Sequence, residues 1–347
     1  MAEHDVLITG GAGFIGSNLT NRMLKNGREV LVFDNLSRPG CRSNIEWLRK
    51  THGPDSFELM VADLSDFEAL QRATEGTSRI YHLAGQVAVT TSIENPRADF
   101  ESNALGTMNA LEAARTVGDH PIFIFASTNK VYGSMDEGMY VEEDTRYSIP
   151  EFADGIPESY PLDFHSPYGC SKGAGDQYTR DYARVYGLQT VVMRQSCIYG
   201  PRQFGIEDQG WAAWFAIAAL KGLPISIYGD GKQVRDMLYI DDLLDAYEAA
   251  IEQSEVASGQ IYNIGGGPKN TLSIWAEFGP LLEKLIGHSL SVTYEETRPG
   301  DQLTYVSDIH KAKRDLDWHP KVDVLEGVGR LFHWLRDNQG LFKHLQA

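Results

Sequence analysis

Positive charge is scarce in this sequence: 31 Lys and Arg stand against 48 Asp and Glu, a formal net charge of −17. That balance excludes a protein whose main work is coating nucleic acid or an anionic membrane, because both surfaces repel it. A small anionic ligand is not excluded, since a few well-placed arginines can hold a phosphate against the net field. Cysteine is scarcer still. Cys41, Cys170 and Cys197 are odd in number, far apart and without a CxxC pair. They offer neither a disulfide framework nor a zinc site, and a reducing cytoplasm fits them best. No hydrophobic run approaches the roughly 20 residues of a membrane span. The opening MAEHDVLITGG enters a strand too soon for a signal peptide. Repeats, low-complexity tracts and long linkers are missing as well. What remains is an ordinary globular composition, 347 residues of which 42% are hydrophobic and 23% charged. At roughly 150 residues per domain that is enough for two lobes. The expectation is a soluble cytoplasmic protein with no bound metal, no nucleic acid partner and no membrane partner.

In the first half, short β-rich runs alternate with helical spacing. Strands are expected at Val6–Thr9, Glu29–Asp34, Phe57–Ala62, Arg79–Ala84, Pro121–Ala126 and Thr190–Arg194. Helices are expected at Asn18–Lys25, closed by Gly27, and at Asn103–Arg115. Apolar strands alternating with helices are the sequence form of an α/β, doubly wound parallel sheet of Rossmann type. Beyond Arg194 the rhythm loosens. Tyr199–Gln209 is rich in Gly, Pro and polar residues; Ala212–Leu220, Asp241–Gln253 and Val324–Leu335 read as helices; Pro224–Tyr228 and Gln260–Ile264 read as strands. Ile274–Ile286 and Ser291–Tyr294 complete the C-terminal stretch. Residues 1–198 are therefore expected to form a dinucleotide-binding domain, with 236–264 returning to it. Residues 199–235 and 265–347 are expected to form a smaller, interleaved substrate lobe.

Directly after the first strand stands TGGAGFIGSNL, whose Gly10, Gly13 and Gly16 are spaced GxxGxxG before a helix. Glycine at these positions permits a tight turn, close backbone approach to a pyrophosphate and close packing of helix on strand. The helix N-terminus then aims free N–H groups and a positive dipole end at the phosphates. The second strand ends in Asp34, eighteen residues beyond Gly16. A carboxylate there binds ribose hydroxyls and repels a 2′-phosphate, which favours NAD over NADP; Arg38 nearby is a counter-signal. Asp63 ends the third strand, either to accept from the adenine amine or to cap the next helix. Leu83–Gln86, LAGQ, ends the fourth strand on the edge where such sheets bind ligands. The expected cofactor contacts are Gly10, Gly13, Phe14, Ile15, Gly16, Asp34, Asn35, Asp63, Leu64, Leu83, Ala84 and Gly85.

Tyr168 and Lys172 lie in HSPYGCSKGAGDQY, where Ser166 can N-cap a helix whose first residue is Pro167 and Gly187 can end it. The i, i+4 spacing puts phenol and ammonium on one helical face. A cation there favours phenolate, lowering the tyrosine pKa from about 10 toward the range of an acid–base catalyst. The hydroxyls of Ala126–Thr128, AST, at the end of the fifth strand are placed to bond to the same substrate oxygen.

GxxGxxG, the LAG turn, a hydroxyl-bearing VYG segment and YxxxK together resemble the extended short-chain dehydrogenase/reductase family of nucleotide-sugar epimerases and dehydratases, over essentially the whole chain. The resemblance implies an NAD-dependent enzyme. It implies that Thr128, four residues before Tyr132, binds the reacting sugar hydroxyl. Tyr168 is then the base, and Lys172 also holds the nicotinamide ribose. Arg235 in GDGKQVRDMLYIDDL and Arg298 in RPGDQ correspond to arginines that clamp the nucleotide diphosphate, as a bidentate guanidinium can; a surface salt bridge is the plainer reading of each. Gly85–Pro96, Ser127–Gly133, Leu162–Gly173 and Arg202–Trp211 are similar to the branch that inverts C2 of CDP-linked dideoxy sugars, so the implied substrate is a CDP-linked sugar. Gln86, Lys130, Gln203 and Gln209 are then the sugar-side candidates. His165 reads as a packing neighbour, and Trp211, Trp214 and Phe215 as core aromatics. Sugar 4,6-dehydratases carry an Asp–Glu pair just after the threonine, where this chain has Asn129 and Lys130. Without that pair an elimination lacks its acid and base. A 4-epimerase or decarboxylase would use the same three residues at another carbon, whereas a non-catalytic NAD sensor would need only the glycine loop. Tyrosines along Gln177–Tyr186 could pair with a copy of themselves, so a homodimer or homotetramer is expected.

Overall fold

Residues 4–118, 120–298, 301–343 and 345 are described by the computed structural model. The first half runs β1 (Val6–Thr9), α1 (Phe14–Lys25), β2 (Val30–Phe33), α2 (Cys41–His52), β3 (Glu58–Met60), α3 (Phe67–Thr74), β4 (Arg79–His82), α4 (Val89–Glu94), α5 (Pro96–Phe100), α6 (Gly106–Thr116) and β5 (Ile122–Thr128). A hairpin of β6 (Val141–Glu142) and β7 (Tyr147–Ser148) precedes the long α7 (Ser166–Tyr186), then β8 (Thr190–Gln195) and β9 (Cys197–Tyr199). Next come α8 (Trp211–Lys221), β10 (Ile225–Tyr228), β11 (Val234–Tyr239), α9 (Ile240–Glu252), α10 (Ser254–Ala257) and β12 (Gln260–Ile264). The chain continues through β13 (Thr271–Ser273), α11 (Phe278–Ile286), β14 (Val292–Glu295), β15 (Thr304–Tyr305), α12 (His310–Leu316) and α13 (Val324–Asp337).

Seven strands pair in parallel in the order β12-β8-β5-β4-β1-β2-β3. Strand alternation feeds two cores: Val6, Ile8, Val30 and Val32 face one side of the sheet, while Leu7, Leu31 and Phe33 face the other. The order reverses between β1 and β4, and sheets of this topology place a ligand crevice there, outside the carboxyl ends of the strands. β11 pairs with β9, β13 and β15 in a second, smaller sheet, and β10 pairs with β14. The doubly wound parallel sheet of the sequence reading is present.

Element ends differ from expectation for local reasons. β5 continues through Ser127 and Thr128 because β8 supplies ladder partners in Arg194 and Gln195. β2 stops at Phe33 and β4 at His82, so Asp34 and Leu83–Gly85 lie in the loops that rim the crevice. A π-helical turn over Glu101–Leu105 precedes α6, and α11 begins only at Phe278. Helix α7 ends as expected but starts one residue early, at Ser166 with His165 in the cap position, although the Ser166 hydroxyl still serves the first turn. Gly169 N–H donates to Ser166 Oγ at 3.2 Å, and Gly187 closes the helix at φ +70 with its N–H on Ala183 O. Among the described residues no helix is long and apolar enough to cross a membrane, and no group of three or more His, Cys, Asp or Glu could hold a metal ion.

Candidate active site

Two glycines of the first turn cannot be replaced without moving backbone. A Cβ on Gly10, at φ +71, would lie 2.8 Å from Ala84 N, and one on Gly16 would lie 2.1 Å from Gly10 O. Between them Gly13 caps α1 with no side chain, leaving the first N–H groups of the helix facing the crevice. Phe14 and Ile15 open that helix half-buried against the core. Asp34 is buried beside the turn, its Oδ2 accepting from Ala12 N–H at 3.0 Å and its Oδ1 from Leu36 N–H at 2.8 Å. Burial pushes its carboxyl above the usual range, against the pull of those two N–H groups and of Arg38. Arg38 itself donates to Gln209 while its charge still acts on Asp34, so the counter-signal for a 2′-phosphate stays beside the carboxylate.

Asn35 Nδ2 donates to Asp63 Oδ2 at 2.7 Å, tying together the ends of β2 and β3. The helix-capping reading of Asp63 is corrected: Asp66 caps α3, accepting from Ala69 N–H at 2.9 Å, while Asp63 receives both Ser65 donors. Leu64 packs into the second core against Gly106. Leu83 and Ala84 follow β4 with their N–H groups on Thr9, and Gly85 lies at φ +157. These groups form a small-residue cradle, an aimed helix N-terminus and a carboxylate, and they fit a dinucleotide.

At the end of β5, strand alternation separates two hydroxyls that the sequence reading placed together. Thr128 faces the cleft and hydrogen-bonds Tyr168. Ser127 faces the opposite way and donates to Asp176 Oδ2 at 2.7 Å, so its expected bond to the substrate oxygen is not available. Behind it Arg194 grips Asp176 through two bonds of 2.9 Å and donates to the Tyr132 hydroxyl at 3.0 Å, which in turn donates to Asn263.

The expected lowering of the Tyr168 pKa by Lys172 is also corrected. Burial raises the phenol; the Thr128 bond opposes, Asp99 adds to the rise, and Arg38 is the cation that opposes it. Lys172 shares the helical face, but its ammonium lies over the Phe125 ring, 4.3 Å from the centroid. Burial lowers Lys172 to about 8, with Asp176 and Asp99 holding it up. Asp99 is buried and accepts from Ser171 Oγ and from Asn103 Nδ2 at 3.1 Å.

Of the substrate-side candidates, Lys130 and Arg235 converge on one oxygen, Asp301 Oδ1, at 3.5 and 2.7 Å. Arg298 is farther along, paired with Asp208 at 2.9 Å and stacked 3.8 Å over the Tyr228 ring. Gln86 and Gln203 each use their amide nitrogen on a backbone carbonyl, and each keeps a buried amide oxygen without a partner. His165 pairs with Asp163; Trp211 packs edge-on against Phe278, and Phe215 packs edge-on against Trp211 and Trp275. The sequence reading did not single out Asp301, Gln302, Asp176, Arg194 or Asp99. Two signals were available: Asp301 and Gln302 stand inside RPGDQ, and Arg194 is a charge in an otherwise apolar strand.

A dinucleotide cradle beside Thr128, Tyr168 and Lys172 is the arrangement expected of a nicotinamide-dependent enzyme. Residues 7–331 match the sequence family described as GDP-mannose 4,6 dehydratase. The chain is 44% identical to CDP-paratose 2-epimerase of Salmonella typhi, over 95% of this chain and 98% of that one. It is similar in structure to UDP-glucose 4-epimerase of Thermotoga maritima, solved with UDP-glucose (31% identity, TM-score 0.82, covering 96% and 99% of the two chains). It is similar likewise to dTDP-glucose 4,6-dehydratase of Streptomyces venezuelae, solved with NAD (31% identity, TM-score 0.84, covering 99% and 100%). The chain belongs to the GDP-mannose 4,6-dehydratase-like, extended short-chain dehydrogenase/reductase family, and it is an enzyme.

Proposed function

We propose that this protein inverts C2 of a CDP-linked 3,6-dideoxyhexose, interconverting CDP-paratose and CDP-tyvelose through a transient keto sugar. The observation that carries the reading is the Asn129–Lys130 dipeptide. It stands where dehydratases have two carboxylates, in a chain 44% identical to a CDP-paratose 2-epimerase. Tyr168 removes the proton from the sugar hydroxyl, and Thr128 steadies that oxygen. NAD, when bound, takes up and returns the hydride. Gly10, Gly13 and Gly16 admit its pyrophosphate, Asp34 its adenine ribose, Asp63 with Asn35 its adenine, and Lys172 its nicotinamide ribose. Arg235 and Arg298 exchange Asp301 and Asp208 for the diphosphate. Gln86, Gln203 and Gln209 face the sugar. The lobe of residues 199–235 and 265–347 carries the diphosphate side of this site, and residues 1–198 with 236–264 carry the cofactor side.

A panel of CDP-, UDP- and GDP-sugars, with products identified by NMR, tests the reading, and a substrate deuterated at C2 sharpens it. Retention of the label in an inverted product supports hydride return at C2; inversion at C4 with C2 untouched overturns it. A redox-neutral cycle needs its cofactor retained, so the purified protein is expected to carry NAD. Assay of the supernatant after denaturation checks this, and NADP as the dominant species would sink the Asp34 argument.

Tyr178, Val185 and Tyr186 on α7 and Phe100 on α5 are exposed, and these helices pack side by side. A second copy covering this face makes the protein a homodimer or homotetramer. Light scattering is expected to give a multiple of the chain mass, reduced to one chain by Tyr178→Asp with Phe100→Asp.

A further inference from the structure

Lys130 lies between the two ends of the site. On one side its backbone N–H donates to Thr128 Oγ1 at 3.3 Å. On the other its ammonium stands 3.5 Å from Asp301 Oδ1, the oxygen that also accepts from Arg235 at 2.7 Å. The side chain is 22% exposed, drawn in from water yet open to the cleft. A structural ion pair that compensates burial closes to hydrogen-bond length, as the Arg235 contact does. The Lys130 contact is longer and shared. An ammonium has three donors, so it keeps donors to spare. Joining the two segments does not require a lysine either, because Asn129 Nδ2 donates to Gln302 Oε1 at 3.1 Å and Gln302 Nε2 donates to Gly133 O.

We propose that Lys130 is a further substrate-touching residue, donating from its ammonium to the sugar oxygen while that oxygen is a carbonyl, with Asp301 keeping the ammonium aimed. The proposal rests on the epimerase reading above. Once Tyr168 has taken the proton, Thr128 holds the oxygen from a fixed strand end. A keto sugar that must present its other face moves away from that hydroxyl. An ammonium on a four-carbon stem can follow the oxygen through the movement, where a short hydroxyl side chain cannot. Lys130 makes no covalent bond and gives up no proton; it only donates hydrogen bonds.

The charged groups facing Lys130 are Asp301 and Arg235. Burial lowers its pKa to about 8, with Asp301 opposing and Arg235 adding to the fall. Its ammonium is therefore present below that pH and lost above it, giving the rate a basic limb. Lys172 titrates in the same range, so substitution is needed to assign the limb.

The test compares wild type, Lys130→Met and Lys130→Arg as NAD-loaded proteins, on whichever nucleotide sugar the panel shows to be turned over. Loss of one charge-assisted hydrogen bond predicts a fall in kcat of about ten- to a hundredfold for Lys130→Met. KM should change far less, and affinity for free CDP, measured by calorimetry, should be unchanged. Keto sugar should escape into solution, leaving reduced cofactor on the protein, and the basic limb should become shallower, because Lys172 alone then titrates in it. Lys130→Arg should restore the rate with the same shallower basic limb, since a guanidinium stays charged while Lys172 still titrates. Wild-type kcat in Lys130→Met with no escaped keto sugar overturns the proposal. So does an equal loss of affinity for free CDP, which makes Lys130 part of the nucleotide site. A UDP- or GDP-sugar winning the panel overturns the CDP reading and leaves the Lys130 comparison to be judged on its own split.

Discussion

Replacing Tyr168 by phenylalanine is expected to lower turnover about a hundred- to ten-thousand-fold while leaving NAD on the protein. The magnitude is that of a positioned acid–base group removed from a reaction that needs it. The selectivity follows from geometry. The phenol hydroxyl meets Thr128, whereas Asp34 is engaged by the backbone of the glycine turn and the Lys172 ammonium lies over Phe125. The ring fills a site only 8% exposed, and phenylalanine keeps that packing. Turnover and cofactor content are measured on the same preparation. Near-normal activity with full cofactor would show that Tyr168 is not the base. The pH profile carries a second signature. Burial raises the phenol, so phenolate is scarce at low pH and wild-type activity should climb as pH rises. It should then fall as Lys130 and Lys172, each lowered to about 8, lose their protons.

That behaviour is only partly written in the sequence. The glycine turn, Asp34 and the Tyr168–Lys172 pair are legible because their chemistry depends on short fixed spacings next to a strand or within a helix. What those spacings cannot convey is direction and distance across the fold. Ser127 and Thr128 look interchangeable in AST, yet the pleat sends one toward Asp176 and the other into the cleft. Lys172 is four residues from Tyr168, yet its ammonium settles over Phe125. The Lys130–Asp301–Arg235 cluster joins residues from three distant stretches, and no local pattern announces it. Arg194 was visible as a charge in an apolar strand but had no partner in sequence. Only β8 lying beside β5, under α7, reveals Asp176.

The Arg194–Asp176 pair should matter most to the stability of the site. Both side chains are almost wholly inside, at 2% and 0% exposure, and the carboxylate accepts two bonds from the guanidinium. Forming such a pair gives little net stability over a well-packed apolar pair, because both charges must leave water. Breaking it is a different matter. Arg194→Met strands a buried carboxylate with Ser127 and Gln177 as remaining donors, and the expected loss is about 3–5 kcal/mol in urea unfolding. Asp176→Asn together with Arg194→Met removes both charges and should recover a large share of that loss. If the single and double variants unfold alike, the pair is not the source of the effect. The same experiment reads the active site. Ser127, adjacent to Thr128, and Tyr132, which follows it in the VYG segment, are both anchored by this pair. The double variant should therefore stay folded yet turn over more slowly than wild type, since Thr128 and Tyr168 are then held from fewer directions.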